Sequence, residues 1–222
     1  MINLTSSLES PHFPVMLDQV IKICTPDRGG LYIDCTFGGG GYSQKLLQFS
    51  KTQVIALDRD KFVLNIAEKI KKKYPKRFSF YQKKFSNVHT VVKKKQLVDA
   101  VIFDLGLSSI QLKNLERGFS FKSKSSLNMN MGLSEISALD VVNNLSEDKL
   151  KSIIKILGEE KEASRIVKNI VKTRVQSKIT TTNQLVEIIE KSKKKNFSNK
   201  TNPCTKTFQA LRIFVNKEIT EL

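Results

Sequence analysis

The first half of the chain alternates short apolar runs with amphipathic stretches. The apolar runs predict four strands, at Leu31–Cys35, Val54–Leu57, Phe78–Tyr81 and Ala100–Leu105. Apolar residues at helical spacing predict helices between them, at Ser43–Phe49 and Phe62–Tyr74. The run at 100–105 is nearly all apolar, which is typical of a strand covered on both faces of a parallel sheet. Alternating strands and helices of this kind predict an α/β fold.

The pattern changes after Ser108. A polar, irregular stretch follows, and from residue 134 onward the spacing of apolar residues is helical throughout. Two capping boxes are predicted, Ser137 with Asp140 and Thr181 with Gln184. We therefore expect an α/β part at 1–108, a helical insertion at 109–204, and a last helix at 205–222 that returns to the α/β part, with its apolar stripe running on to Ile219.

The number of predicted strands is small. An open sheet of this class usually has about five or six strands, and the chain stops inside an amphipathic helix. We expect an incomplete sheet whose remaining strands would follow residue 222. A chain of this length is then expected to be poorly stable or inactive unless another chain supplies the rest.

The charge balance points to a polyanionic partner. Lys and Arg number 38 against 21 Asp and Glu, a net charge of +17 with a pI near 9.8. Nucleic acid is the simplest partner for such a surface, although lysine enrichment also follows from an A/T-rich genome. No apolar run approaches membrane-spanning length, and residues 1–10 lack a secretory signal pattern. The three cysteines are widely spaced, which predicts reduced thiols in the cytoplasm and no metal site.

A glycine-rich turn carries the candidate chemistry. The first predicted strand contains Asp34, the glycines Gly38–Gly41 follow, and the second strand ends in Asp58. Glycines let the backbone approach a ligand closely, and an acid at the tip of the second strand suits ribose hydroxyls. A nucleoside-containing cofactor is therefore expected.

Three cofactor classes compete for this turn. The dinucleotide fingerprint fails because its third glycine would fall at Ser43 or Gln44. A P-loop needs Lys followed by Ser or Thr after the glycines, and this chain has Tyr42 and Ser43 there. The loop is compatible with S-adenosylmethionine, bound by an Asp-x-x-x-Gly-x-Gly-like turn.

Seven segments occur in one order along the chain: HFPVML (12–17), YIDCTFGGGGYS (32–43), ALDRD (56–60), FDLGLSSIQL (103–112), ERGFSF (116–121), GEE (158–160) and TKTFQALRIFVNKE (205–218). Together they resemble the bacterial 16S rRNA (cytosine-N4)-methyltransferase, or MraW, family. The resemblance implies a Rossmann-like class I methyltransferase sheet, here of about four strands, with an inserted helical domain that recognises RNA.

The resemblance also implies roles for individual residues. It places the methionine end of S-adenosylmethionine on the loop, the ribose on an acid, the adenine beside an aromatic ring, and two further side chains near the amino-acid part and the mouth of the site. The corresponding residues are Gly40, Gly41 and Tyr42 for the loop, Asp58 for the ribose, Phe85 for the adenine, and Asp104 and Gln111 for the mouth.

The implied reaction is methylation of a cytidine N4 in the decoding region of 16S rRNA, within the small ribosomal subunit. We expect Asp104 or the backbone carbonyl of Leu105 to accept the N4–H hydrogen bonds. Phe119 and Phe121, beside Arg117, either stack on the target base or anchor their own loop. No membrane and no metal is expected to take part, and a homodimer is left open.

Departures from the family keep other functions open. The usual LDMRM segment reads LNMNM here, so that Asn128 and Asn130 replace two charged residues. That change favours a degenerate, non-catalytic RNA-binding protein as an alternative. A methyltransferase on another nucleic acid is a second alternative, but the Asp104–Leu107 segment lacks the Pro-Pro-aromatic motif of DNA amino-methyltransferases.

Overall fold

The structure is a computed structural model that describes residues 14–193 and 202–222. The start of the HFPVML segment and the N-terminal residues considered for a signal lie outside the described residues. The chain divides into two compact units after Ser109. Each unit is described by itself.

The first unit is built on a parallel sheet. Its strands are β1 (Gly30–Asp34), β2 (Thr52–Asp58), β3 (Phe78–Gln82) and β4 (Ala100–Ile102), in the spatial order β3-β2-β1-β4. All three strand pairs are parallel. The strand order reverses between β1 and β4, and open α/β sheets bind ligands outside the carboxyl ends of their strands at such a point. The predicted α/β, Rossmann-like fold is confirmed.

Three helices pack in this unit: α1 (Leu17–Cys24), α2 (Gly41–Leu47) and α3 (Leu64–Lys73). Helix α2 begins at the last glycine of the turn and buries Leu46 and Leu47 against β1 and β2. Helix α3 buries Ala67 and Ile70 and packs on β3. The glycine turn therefore joins a buried strand to a buried helix, and its position is set by packing on both sides.

The fourth strand is shorter than its apolar run predicts. Its last paired residue is Ile102, opposite Asp34, and the chain then leaves the sheet. Val101, Phe103 and Leu105 are 46%, 44% and 54% exposed. The expected coverage on both faces is thus wrong for this run, since Val101 in β4 and Phe103 and Leu105 beyond it keep about half of their surface exposed.

The second unit is helical. The structure gives it the helices α4 (Ser109–Lys113), which spans the division, α5 (Ala138–Asn144), α6 (Glu147–Leu157), α7 (Ala163–Gln176), α8 (Thr182–Ser192), α9 (Thr205–Val215) and α10 (Glu218–Glu221). Both predicted capping boxes are present, at the starts of α5 and α8. Each box satisfies backbone N–H groups that have no partner within the helix.

The last residues of the chain pack inside the helical unit. Helix α9 lies against α6 and α5. The approach to α6 is close: a Cβ on Gly158 would lie 2.3 Å from the backbone oxygen of Lys206. The apolar stripe ends at Val215, since Ile219 lies on the separate α10 and is 67% exposed. No helix in the described ranges is long and apolar enough to cross a membrane.

Candidate active site

Asp58 is held in place by backbone amides at the carboxyl end of β2. Its Oδ2 accepts a hydrogen bond from the N–H of Gly38 at 2.8 Å, and its Oδ1 accepts one from the N–H of Asp60 at 2.9 Å. Burial raises the pKa of Asp58, and the backbone donors oppose that effect. An ionised carboxylate has about four acceptor positions. Backbone donors at Gly38, Asp60 and Arg59 therefore leave about one acceptor position on the carboxylate for a further donor, such as a ribose hydroxyl.

Asp34 lies deeper, at the carboxyl end of β1, and is fully buried. Its Oδ2 accepts a hydrogen bond from the Ser43 hydroxyl at 2.7 Å, and its Oδ1 accepts one from the N–H of Thr36 at 3.3 Å. Burial raises the pKa of Asp34 to about 6, although the hydrogen bond from Ser43 lowers it. Asp34 links the strand to the first turn of α2 and so shapes the glycine turn from beneath.

Glycine is required at Gly40 by both conformation and space. Its φ of 75° lies in the left-handed region, which side chains disfavour. A Cβ there would lie 2.8 Å from Cδ1 of Ile70 and 2.9 Å from the Phe37 ring. Its N–H donates to the Phe37 carbonyl at 2.7 Å. Gly40 therefore builds the turn itself, and its amide is engaged within the protein.

Gly39 behaves differently from its neighbours. A Cβ at this position would meet no atom within 4 Å, and its φ is not positive. The tip of the turn is thus open at Gly39, where a ligand has room to approach the backbone.

The start of α2 is covered by the chain that leads into α1. A Cβ on Gly41 would lie 2.3 Å from Cγ of Pro14. The Tyr42 hydroxyl donates a hydrogen bond to the Val15 carbonyl. Burial, followed by the nearby Asp104 and Asp34 carboxylates, raises the pKa of the Tyr42 phenol. Gly41 and Tyr42 therefore anchor the residues before α1, in addition to the cofactor role implied for them.

Phe85 lies on the segment after β3. Its ring packs edge-to-face on Phe103 with 5.5 Å between ring centroids. It also packs on the buried apolar cluster that contains Leu31 and Leu57. Phe103 is 44% exposed, so this aromatic pair borders solvent at the edge where a purine would bind.

The segment after β4 is joined to the segment after β1. The N–H of Asp104 donates to the Thr36 hydroxyl at 2.7 Å. Beyond it, Leu105 is 54% exposed, and Gly106 has a φ of 137° and space around it, since a Cβ there would meet no atom within 4 Å. Asp104 and Leu105 are thus placed with Asp34, the glycine turn and Asp58 at the carboxyl ends of the strands. Gln111 lies on α4 in the second unit and is buried.

Phe119 and Phe121, for which base stacking and loop anchoring were both open, pack within the second unit. Phe119 is 5% exposed and lies 5.3 Å from the Arg117 guanidinium. Phe121 packs edge-to-face on Phe208 of α9. These contacts support the interpretation in which the two rings anchor their loop.

The LNMNM segment is fixed by polar contacts inside the helical unit. Asn216, the C-terminal cap of α9, accepts a hydrogen bond from the N–H of Met131 and donates to the carbonyl of Met129, both at 2.8 Å. The Asn130 side chain donates to the Ser134 carbonyl, and Asn128 accepts from the Asn130 N–H. The two asparagines that replace charged residues therefore stabilise a turn within the unit.

Two residues of this site were not singled out from the sequence. The Thr36 N–H and the Ser43 hydroxyl donate hydrogen bonds to the Asp34 carboxylate, and the Thr36 hydroxyl accepts one from the Asp104 N–H. Both lie inside the YIDCTFGGGGYS segment, whose hydroxyl residues were the available signal. Asp104, the partner of Thr36, follows a different strand, and Asp34, the partner of Ser43, lies on the other side of the glycine turn. The order of residues along the chain does not show these contacts.

The residues present fit S-adenosylmethionine. Asp58 offers an oriented acceptor to a ribose hydroxyl, the turn is open at Gly39, and the partly exposed ring of Phe103 beside Phe85 offers an apolar face. The buried thiols of Cys35 and Cys204 have pKa values raised by burial to about 12, so neither is a ready nucleophile. In the described ranges no three His, Cys, Asp or Glu residues group as metal ligands.

Comparisons with known proteins support S-adenosylmethionine as the cofactor. A sequence model described as the MraW methylase family matches residues 9–222. The chain is 40% identical to ribosomal RNA small subunit methyltransferase H of Ehrlichia ruminantium (strain Welgevonden) over 215 residues, 95% of this chain and 71% of that protein.

Two further relatives carry the same name. The protein of Rickettsia akari (strain Hartford) is 43% identical over 214 residues, 95% of this chain and 68% of that protein. The protein of Maricaulis maris (strain MCS10) is 42% identical over 215 residues, 96% of this chain and 64% of that protein. The family resemblance seen in the seven segments is confirmed.

Proposed function

Because the chain belongs to the MraW methylase family, we propose that it methylates N4 of a cytidine in the decoding region of 16S rRNA. The family uses S-adenosylmethionine, so the chain is a methyltransferase with that cofactor. The proposed substrate is the assembling small ribosomal subunit in the cytoplasm. The names of the relatives support an rRNA substrate of that subunit, and the implied motif roles support the N4 position.

The observation that carries the proposal is the orientation of Asp58. Its two oxygens are fixed by the amides of Gly38 and Asp60, on the carboxyl side of the sheet where the strand order reverses. Fixing an acceptor before the ligand arrives lowers the entropy lost on binding. Asp58 would hold the ribose of the cofactor, and the glycine turn and the segment after β4 lie at the same edge of the sheet.

When bound, S-adenosylmethionine supplies a methyl group made electrophilic by its sulfonium, so the protein need not supply a nucleophile. The chain's task is to orient the base. Cytosine N4 is a weak nucleophile because its lone pair is delocalised into the ring. Asp104, or the backbone carbonyl of the exposed residue Leu105, accepts an N4–H hydrogen bond and orients the nitrogen. Correct orientation of this kind contributes several kcal/mol to catalysis.

The helical unit offers a surface for the RNA backbone. A cleft of about 360 Å³ lies between α7 and α8. Its walls carry Lys172, Lys178 and Lys191 beside amide side chains, among them Gln176 and Gln184. Glu187, the acid in the same lining, is within 4.0 Å of the Lys191 ammonium and accepts from Asn183. The cleft is therefore net positive, which suits phosphate groups.

The proposal is tested by incubating the protein with labelled S-adenosylmethionine and small subunits from a strain that lacks the modification. Nucleoside analysis should find label in N4-methylated cytidine. Label in another nucleoside would overturn the assigned position. Titration calorimetry with the cofactor distinguishes a methyltransferase from the alternative, a non-catalytic RNA-binding protein. Such a protein would bind RNA but give no binding heat with S-adenosylmethionine.

A further inference from the structure

We propose that Thr36 is a positioning residue that holds the Asp104–Leu105 segment in the geometry needed for methyl transfer. This inference rests on the proposed function. It assigns a role to a side chain that contacts neither reacting group and acts through the backbone of Asp104.

The pairing of β1 with β4 ends just before Asp104. The last backbone bond between β1 and β4 runs from the N–H of Cys35 to the carbonyl of Ile102, at 2.9 Å. Two residues later the N–H of Asp104 donates to the Thr36 hydroxyl at 2.7 Å. The threonine side chain thus continues the ladder past the point where the strands separate, between residues 68 positions apart.

The chain on either side of Asp104 is only partly buried, although the Phe103 ring contacts Phe85. Phe103 and Leu105 are 44% and 54% exposed, and a Cβ on Gly106 would meet no atom within 4 Å. A segment with little buried surface opens at low free energy unless hydrogen bonds restrain it. The bond to Thr36 is therefore expected to matter more here than it would inside a packed core.

Thr36 is itself restrained by a hydrogen bond to Asp34. Its N–H donates to Oδ1 of Asp34, whose Oδ2 accepts from the Ser43 hydroxyl at the start of α2. One buried carboxylate therefore sets both the glycine turn and the residue that holds Asp104. Hydrogen bonds through Asp34 and Thr36 thus connect the glycine turn to the Asp104–Leu105 segment within one unit.

The test compares Thr36→Val, which removes the acceptor at nearly constant volume, with Thr36→Ser, which keeps it. Amide hydrogen exchange at Asp104 should be at least about tenfold faster in Thr36→Val, and near the wild-type rate in Thr36→Ser. Because a displacement of about 1 Å lowers rates by up to about 100-fold, kcat for methyl transfer should fall by about 10- to 100-fold in Thr36→Val. The dissociation constant for S-adenosylmethionine should stay within about threefold, and Thr36→Ser should restore kcat.

Thr52→Val is the matched control for lost stability. The Thr52 hydroxyl is fully buried at the start of β2, where it donates to the Leu46 carbonyl, so its removal lowers the melting temperature and leaves kcat near wild type. Unchanged exchange at Asp104 in Thr36→Val, or an unchanged kcat, overturns the proposal. Wild-type protein that binds no cofactor and transfers no methyl group would refute the proposed function. The exchange comparison would still decide whether Thr36 holds Asp104.

Discussion

Gly38 donates its backbone N–H to the Asp58 carboxylate at 2.8 Å, across 20 residues of chain. This bond joins the first glycine of the turn to the tip of the neighbouring strand. The sequence predicts a close approach of the turn backbone to a ligand, but the amides of Gly38 and Gly40 are already bonded within the protein. The glycines therefore shape the site and orient Asp58, and open space for a ligand remains at Gly39.

Substitution of Asp58 is expected to weaken cofactor binding. Asp58→Asn removes the charge and replaces one acceptor oxygen by a donor, which also conflicts with the amide of Gly38 or Asp60. Hydrogen bonds to charged groups contribute about 1.5–3 kcal/mol, so the dissociation constant for S-adenosylmethionine should rise about 10- to 100-fold. Titration calorimetry measures this dissociation constant. Asp27→Asn, an exposed acid before β1, is the control, and equal affinities in the two variants would contradict the ribose assignment.

Two glycine substitutions separate folding from binding. Gly40→Ala forces a side chain into the left-handed region and onto Phe37 and Ile70, so the free energy of unfolding should fall by about 2–4 kcal/mol. Gly39→Ala meets no protein atom and should leave the melting temperature within about 2 °C. A methyl group at the open tip should nevertheless weaken S-adenosylmethionine binding. Unaltered affinity in a folded Gly39→Ala protein would exclude a close approach at the tip.

The stability of the protein should depend on the protonation of Asp34. Its pKa is raised from the ordinary 3.8 to about 6 in the folded chain. The folded state therefore binds the proton more tightly than the unfolded state. The resulting stabilisation is complete below pH 3.8 and is lost as the pH rises through about 6. The difference is about 3 kcal/mol.

Urea unfolding between pH 4 and 7 measures this effect. In Asp34→Asn the fall in unfolding free energy over that range should be smaller than in wild type. Parallel pH profiles for the two proteins would show that Asp34 does not titrate in this range.

The cleft between α7 and α8 should govern the salt dependence of RNA binding. A plot of the logarithm of the RNA association constant against the logarithm of salt concentration has a slope set by the number of phosphate contacts. Each of the variants Lys172→Gln, Lys178→Gln and Lys191→Gln should reduce the magnitude of that slope by roughly the contribution of one contact. Lys155→Gln, an exposed lysine on α6 outside the cleft, is the matched control. Fluorescence anisotropy with a 16S rRNA fragment measures the slopes, and equal slopes in all four variants would exclude the cleft.

Local patterns predicted much of the fold. The four strands, both capping boxes and the start of α2 follow from residue spacing within short windows, where strand pleat and helix pitch set the period. The length of β4 and the packing of α9 did not follow, because each depends on which distant surface covers the segment. Val101 and Phe103 are apolar, yet they lie at an edge that the order of residues along the chain does not reveal.

The sequence by itself determined the class of the site, because seven ordered segments and a glycine turn between two acids belong to one family. Only the tertiary structure decided how those residues work together. The bonds from Gly38 to Asp58 and from Asp104 to Thr36 join residues 20 and 68 positions apart. Such contacts exist only once parallel strands bring their carboxyl ends to the same edge of the sheet, and their partners and distances follow from the register of the strands.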